Sequence, residues 1–246
     1  MTAVWATFTR ELRAYFFSPL AYVVLFFFLV VNGFIFSTIV TALADPRFGG
    51  GRPMDFFFGG SIFFWLILLF LTPVLTMRLL SEELRSGSIE VLMTAPVTEG
   101  QVVVGKYLAS LVFYLFLWLP TVAYAGILAY YSEVDWGPIA SGYLGIVGIG
   151  ALFLAIGLFA SAMTRSQLLA AIISFALVMF LFIFGLLEGI VNNETARQVL
   201  GYVNLINHMD DFTKGIVDTR RLVYYLSGIL FFLFLTSRAL EDRKWR

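Results

Sequence analysis

The sequence predicts an all-α polytopic membrane protein with six transmembrane helices, and three observations carry that prediction. Hydrophobic residues make up 60% of the 246 positions and charged residues only 13%, far from the balance of a soluble domain. Six long stretches contain no Asp, Glu, Lys or Arg: Ala14 to Ala44, Phe56 to Met77, Tyr107 to Ser132, Trp136 to Thr164, Ser166 to Leu187 and Leu222 to Ser237. Finally, runs such as LFFFLVV and FFWLILLFL are apolar on every side, whereas a membrane barrel would alternate with period two.

In chain order, TAVWATFTRELRAYFF places Val4, Trp5, Phe8, Leu12, Tyr15 and Phe16 at helical spacing, with Thr7, Arg10 and Glu11 opposite. This predicts an amphipathic interface helix over residues 1–18, lying along the membrane surface and ending at Ser18-Pro19. The spans follow at about 19–42, 57–78, 106–131, 137–163, 167–188 and 221–239, all within one transmembrane domain covering residues 1–246. The last uncharged run is shorter than the roughly 20 residues a span needs. It borrows from flanks where Arg220, Arg221 and Arg238 can reach the headgroups. The first run is too long for a cleavable signal peptide.

Both termini are expected on the cytoplasmic side. That orientation puts Arg10, Arg13, Arg78, Arg85, Lys106, Arg165, Arg238, Arg243, Lys244 and Arg246 inside, the larger share of the 16 basic residues. The segment at 189–220 then lies outside, where its scattered apolar residues predict one or two short surface helices.

Within the membrane, Pro73 and Pro120 should kink the second and third spans, since each removes a backbone hydrogen bond. Gly142, Gly145 and Gly148 in the fourth run allow close helix packing. None of the six uncharged runs holds a carboxylate, Lys or His of the kind that ion-coupled carriers use, so any energy source should lie outside the membrane segment.

Candidate chemistry is sparse. The net charge is zero, which disfavours a nucleic-acid partner, and the absence of cysteine removes thiolate catalysis and Cys-based metal sites. Gly100 to Tyr107 follows the phosphate-loop pattern up to its last position, where Tyr107 stands in place of the Ser or Thr that holds Mg²⁺. His208, beside Asp210 and Asp211, lacks a spaced ligand partner and is expected in a solvated loop. Catalytic, cofactor-binding and metal residues are therefore all expected to be absent.

The stretch SEELRSGSIEVLMTAPVTEGQ, residues 81–101, is charged and punctuated by Gly and Pro between two lipid-compatible runs. Ser81, Glu83 and Leu84 can open a short helix, Gly87 can break it, and Ala95-Pro96 stops the run. Exposed Ile89, Val91, Leu92 and Met93 need a cover, either headgroups or a soluble partner.

The run E-E-L-R-S-G-S-I-E-V-L-M-T-A-P-V, followed by V-V-G-K-Y-L-A, resembles a segment of ABC type-2 transporter permeases that reads, loosely, E-x-x-x-G-T-x-E-x-L-L-x-x-P-V and then G-K. Glu82, Glu83, Gly87, Ser88, Glu90, Leu92, Pro96, Gly105 and Lys106 take that pattern; Ser88 replaces the usual Thr and Met93 the usual Leu. The stretch F-T-K-G-I-V-D-T-R-R-L-V-Y-Y-L is similar to the gliding-motility-associated subgroup.

The resemblance implies that residues 81–100 form a cytoplasmic coupling helix docking on a separate ATPase subunit. Glu82, Glu83, Arg85, Gly87, Ser88, Ile89, Glu90, Leu92 and Pro96 would be its ATPase-coupling residues. It further implies two permease copies surrounded by membrane lipid, ATP and Mg in the partner rather than in this chain, and a bacterial-type cytoplasmic (inner) membrane. Export of a lipid, glycan or other amphipathic substrate is the expected activity. The alternative is a non-transporting scaffold that anchors a cytoplasmic partner.

Overall fold

The computed structural model describes residues 3–45, 51–87, 98–191 and 193–244. Six helical stretches are long and apolar enough to cross a membrane: Pro19–Ala44, Ile62–Ser86, Glu99–Tyr131, Trp136–Met163, Gln167–Gly189 and Thr219–Asp242. Among the described residues every regular element is helical.

The chain opens with α1 (Ala3–Phe16) and turns at Ser18 into α2 (Pro19–Ala44), with Pro19 at the first helical position, where its missing N–H costs nothing. A π-helical turn, Phe56–Gly60, precedes α3 (Ile62–Thr76), which leads through a turn at 77–80 to the short α4 (Ser81–Ser86). The third span is split into α5 (Glu99–Trp118) and α6 (Val122–Tyr131); then come α7 (Trp136–Met163) and α8 (Gln167–Leu186). Two short helices, α9 (Glu194–Val203) and α10 (Leu205–Thr213), lead to the last, α11 (Thr219–Lys244).

The bundle is organised around α7, the most enclosed of the six spans. Its small residues let neighbouring groups sit against its backbone. A Cβ at Gly142 would lie 2.5 Å from the Phe58 ring, at Gly145 2.9 Å from Phe212, at Gly148 2.7 Å from Tyr225, and at Gly150 2.2 Å from Tyr114. At Gly157 it would meet the Thr76 hydroxyl at 2.1 Å. The packing glycines expected from the sequence thus receive aromatic rings from elsewhere in this same chain. By contrast, α2 and α11 leave long apolar faces open, including Phe26, Phe27 and Phe34 on α2 and Leu230 and Phe231 on α11, as suits contact with lipid.

Several details differ from the sequence expectation. The second span begins at Ile62 rather than near 57, because Gly59 turns at φ +147°, a conformation that favours glycine, and folds Phe57 and Phe58 into the core. Helix α5 begins at Glu99 rather than near 106, because Thr98 and Gln101 form a reciprocal capping box. Pro120 sits in a 3₁₀ turn, Leu119–Thr121, that separates α5 from α6, while Pro73 lies one turn before the end of α3.

Two expectations are overturned. Thr7 and Glu11 do not face water: α1 turns its Thr7, Glu11 and Tyr15 stripe toward the protein, with Thr7 packed on Gly105 of α5 and Trp5 left half exposed. The residue spacing of four puts the three on one face. Nor is His208 in a solvated loop; it is fully buried in α10, which packs back against α7.

Seating of the Tyr114 ring on Gly150 gives a stability prediction. Tyr114 is fully buried and donates its hydroxyl to the Ile146 carbonyl, so it cannot yield. Gly150→Ala should cost about 1–3 kcal/mol through overpacking. Gly126→Ala, with nothing within 4 Å of the new methyl, should be neutral or stabilising by up to about 1 kcal/mol. Thermal midpoints in detergent check both.

Candidate functional site

The stretch singled out in the sequence starts at α4. Its first turn carries Glu82 and Glu83 and its last Arg85, signs that suit the helix dipole. Gly87 ends the helix at φ +72°, ψ 0°; nothing lies within 4 Å of a would-be Cβ, so backbone conformation and not space favours glycine. Glu82 and Arg85 are exposed and Glu83 is half-buried. Ser88, Ile89, Glu90, Leu92 and Pro96 lie outside the described residues.

Glu83 leads inward to a charged cluster. Lys106, on α5, is 1% exposed, and its ammonium group lies 2.9 Å from a Glu11 carboxylate oxygen, 2.9 Å from Glu83 Oε1 and 2.7 Å from the Leu79 carbonyl. It donates hydrogen bonds to Glu11 and to the Leu79 carbonyl and forms an ion pair with Glu83, so oxygens from three different helices or turns surround it. Arg10 completes the cluster, its guanidinium 2.7 Å from both Glu11 and Glu83. Two cations and two carboxylates cancel. Burial alone would raise the Glu11 carboxyl; Lys106 and Arg10 outweigh it and hold the group below the usual carboxylate range.

Around this node the end of α3 is held by side chains. Tyr15 donates to the Leu75 carbonyl at 2.7 Å, and the Arg78 guanidinium lies 5.7 Å above the Tyr15 ring. From α7, Ser161 accepts hydrogen bonds from the Leu80 and Ser81 amides, both at 3.0 Å, and donates to the Met77 carbonyl at 3.1 Å. A cleft of about 340 Å³ opens at the node, lined by Tyr15, Ser18, Arg78, Glu82 and Glu83 among others. Interface helix, second-span turn, third span and fourth span therefore meet within one polar knot.

Arg10, Glu11 and Ser161 were not among the coupling residues expected from the sequence, which placed Arg10 and Glu11 only on the polar side of the interface helix. The usable signal was the shared face of Thr7, Glu11 and Tyr15; Ser161, in a run of small residues, gives none. The phosphate-loop pattern has no loop: Gly100 to Tyr107 is continuous helix, with Lys106 committed to carboxylates. Among the described residues, no group of three or more His, Cys, Asp or Glu could hold a metal ion.

At the other end of the bundle, His208 Nε2 is 3.1 Å from the Tyr202 carbonyl and Nδ1 is 3.0 Å from the Tyr225 hydroxyl. A carbonyl only accepts, so the proton sits on Nε2, and Tyr225 donates to Nδ1. Asp211 pairs with Arg221 at 3.1 Å and Asp210 with Lys214 at 3.0 Å, so neither carboxylate turns to the imidazole as a co-ligand. Burial, reinforced by Arg221, pushes the imidazole down to about 4.

Two predictions follow from these sites. Removing Lys106 leaves two carboxylates with only Arg10 to pair them and the Leu79 carbonyl without its donor, so Lys106→Gln should destabilise the fold by about 3–5 kcal/mol. Lys106→Arg should not restore it, because a planar fork cannot reach three acceptors arranged around one nitrogen; thermal melting in detergent reads both. For His208, the unfolded value near 6.5 exceeds the folded one, so its contribution is complete above about pH 6.5 and lost as pH falls toward about 4. The thermal midpoint should drop across that window in the native chain and stay flatter in His208→Gln.

Comparison with known proteins agrees with this architecture. The family described as ABC-2 family transporter protein matches residues 54–240, well over half of the chain. No individual curated protein matches it. A match that begins ahead of the second span and runs into the sixth, over a bundle of six apolar helices, places the chain in the ABC-2 family of transporter proteins, as a membrane-spanning component.

Proposed function

We propose that the chain is the permease of an ATP-driven transporter that works as two copies with two separate ATPase subunits, and that residues 81–100 take up the motion of the ATPases. The observation that supports this most is the three-way grip of Lys106 on Glu83, Glu11 and the Leu79 carbonyl. A force on α4 reaches α5 through a buried ion pair, α1 through Glu11, and α7 through Ser161.

In this reading ATP and Mg are bound by the partner, whose closure tilts α4 about the turn at 77–80. The node moves as a body and shifts the spans between two arrangements, since packed helices are bistable rather than continuously deformable. Family membership supports a transported substrate, and the aromatic-rich spans suit a lipid, glycan or other amphipathic molecule leaving the cytoplasm. Both termini are then cytoplasmic and the membrane is an inner, cytoplasmic one. Glu82, Arg85 and Gly87, with Ser88, Ile89, Glu90, Leu92 and Pro96, would form the surface the ATPase meets.

The test is to co-purify the chain with its ATPase, reconstitute the complex in lipid and measure ATP turnover. Glu83→Lys sets a cation against Lys106 and should lower permease-dependent turnover by at least about tenfold, equivalent to ~1.4 kcal/mol. If Glu83→Lys and Glu90→Lys both leave assembly and turnover unchanged, the coupling role is wrong. An ATPase that binds but whose turnover never responds to the permease points instead to an anchoring scaffold.

A further inference from the structure

The third span is one run of apolar sequence but two helices, and the joint between them lacks a continuous backbone ladder. Pro120 has no N–H to give the Phe116 carbonyl. The Val122 amide turns to the Leu119 and Pro120 carbonyls. Its regular α-helical partner, the Trp118 carbonyl, accepts the Thr121 hydroxyl at 2.7 Å. The Tyr143 hydroxyl, on α7, lies 3.0 Å from Thr121 Oγ1, and because the one Thr121 proton is already given away, Tyr143 is the donor. The joint is thus pinned to the axis of the bundle by a pair of side chains, while its backbone is short of the bonds that keep a helix straight.

The two arms differ in how they are held. Along α5, residues from Val102 to Trp118 are buried at every turn. On α6 only Ala125 is buried, while Ile127 is 51% exposed and nothing lies within 4 Å of a Cβ built on Gly126. Tyr124 gives α6 its grip: its ring stacks on Phe36 with centroids 4.6 Å apart, and a Cβ at Gly33 would lie 3.4 Å from its hydroxyl. Both partners belong to α2, so α6 leans on a span that is itself little enclosed. At the far end of α6 there is room for movement. A cavity of about 320 Å³ is lined there by Leu128, Ser132 and Val134 on one side and by Met54, Asp55 and Ile139 on the other.

We propose that α6 is a hinged lid, swinging as a unit about residues 119–121 with the Thr121–Tyr143 pair as its pivot, and that it opens and closes this cavity. A swing of ~20° carries the tip of this ~15 Å arm by roughly 5 Å. Helix α5 stays in place, because its interlocked side chains allow no such freedom. The motion belongs to the fold and does not rest on the coupling role, so either can fail alone.

The chain contains no cysteine, so pairs of nitroxides can be placed on an otherwise native background. Ala129→Cys puts a label near the tip of α6, Ala140→Cys one near the start of α7, and Ile190→Cys a shared reference beyond the end of α8; all three positions are exposed. The full-length double variants, 129 with 190 and 140 with 190, are reconstituted in lipid vesicles with an excess of unlabelled chain, so that pairs within one molecule dominate. Distances are read by double electron–electron resonance. The 129–190 pair should show two populations several ångströms apart, and the 140–190 pair one. Pro120→Ala, which returns the missing N–H, should leave a single 129–190 population, and Tyr143→Phe, which keeps the ring but removes the donor at the pivot, should shift the ratio of the two. A single 129–190 distance as narrow as the 140–190 reference overturns the proposal. So do two populations that neither substitution alters, since the motion is then not centred on the joint.

Discussion

Nearly everything at one end of this bundle follows from the burial of a single ammonium group. Lys106, near the start of α5, is 1% exposed, and an unpaired cation so buried is costly. Its charge is met by hydrogen bonds to Glu11 and the Leu79 carbonyl and by an ion pair with Glu83. The interface helix is therefore docked on α5 by charge as well as by shape, and α4 can hold only a narrow set of positions. Arg10 bridges both carboxylates and leaves the knot neutral, which is what allows it to sit at the edge of a lipid environment.

A second constraint comes from α7. A helix rich in glycine, alanine and serine offers little side chain of its own, so its neighbours supply the bulk. Phe58 comes from the turn before the second span, Tyr114 from the third, Phe212 from α10 and Tyr225 from the sixth. Because those rings come from four separate segments, α7 serves as the common axis of the bundle. It also carries Ser161, so that axis is tied to the turn leading into α4.

The spans were legible in the sequence because lipid imposes a harsh rule: some twenty residues without charge, in helices that satisfy their own backbone. Their ends were less so, since Gly59 and the Thr98–Gln101 box act locally and override the hydropathy profile. The facing of α1 was misread for a physical reason. Amphipathic reasoning sends the polar stripe to water, but Glu11 finds its counter-charge on a lysine far along the chain, which periodicity cannot show. His208 looked solvated because charged residues flank it; those charges pair among themselves and leave the imidazole to two tyrosines. Residues 81–87 stood out by polarity alone, whereas Ser161 is one small residue in a run of them.

That serine limits how the fourth span can travel. Its hydroxyl has one proton and two lone pairs, and all three are engaged by the turn at 77–81. The residues on either side, Ala160 and Ala162, have no hydroxyl to offer. Sliding α7 along its axis by one residue would strand the Leu80 and Ser81 amides in an apolar interior, while the Met77 carbonyl would keep only the Ser81 hydroxyl. The serine thus fixes the register of α7 against the turn at 77–81, and with it the height at which every ring-bearing neighbour meets the glycines farther along the same helix.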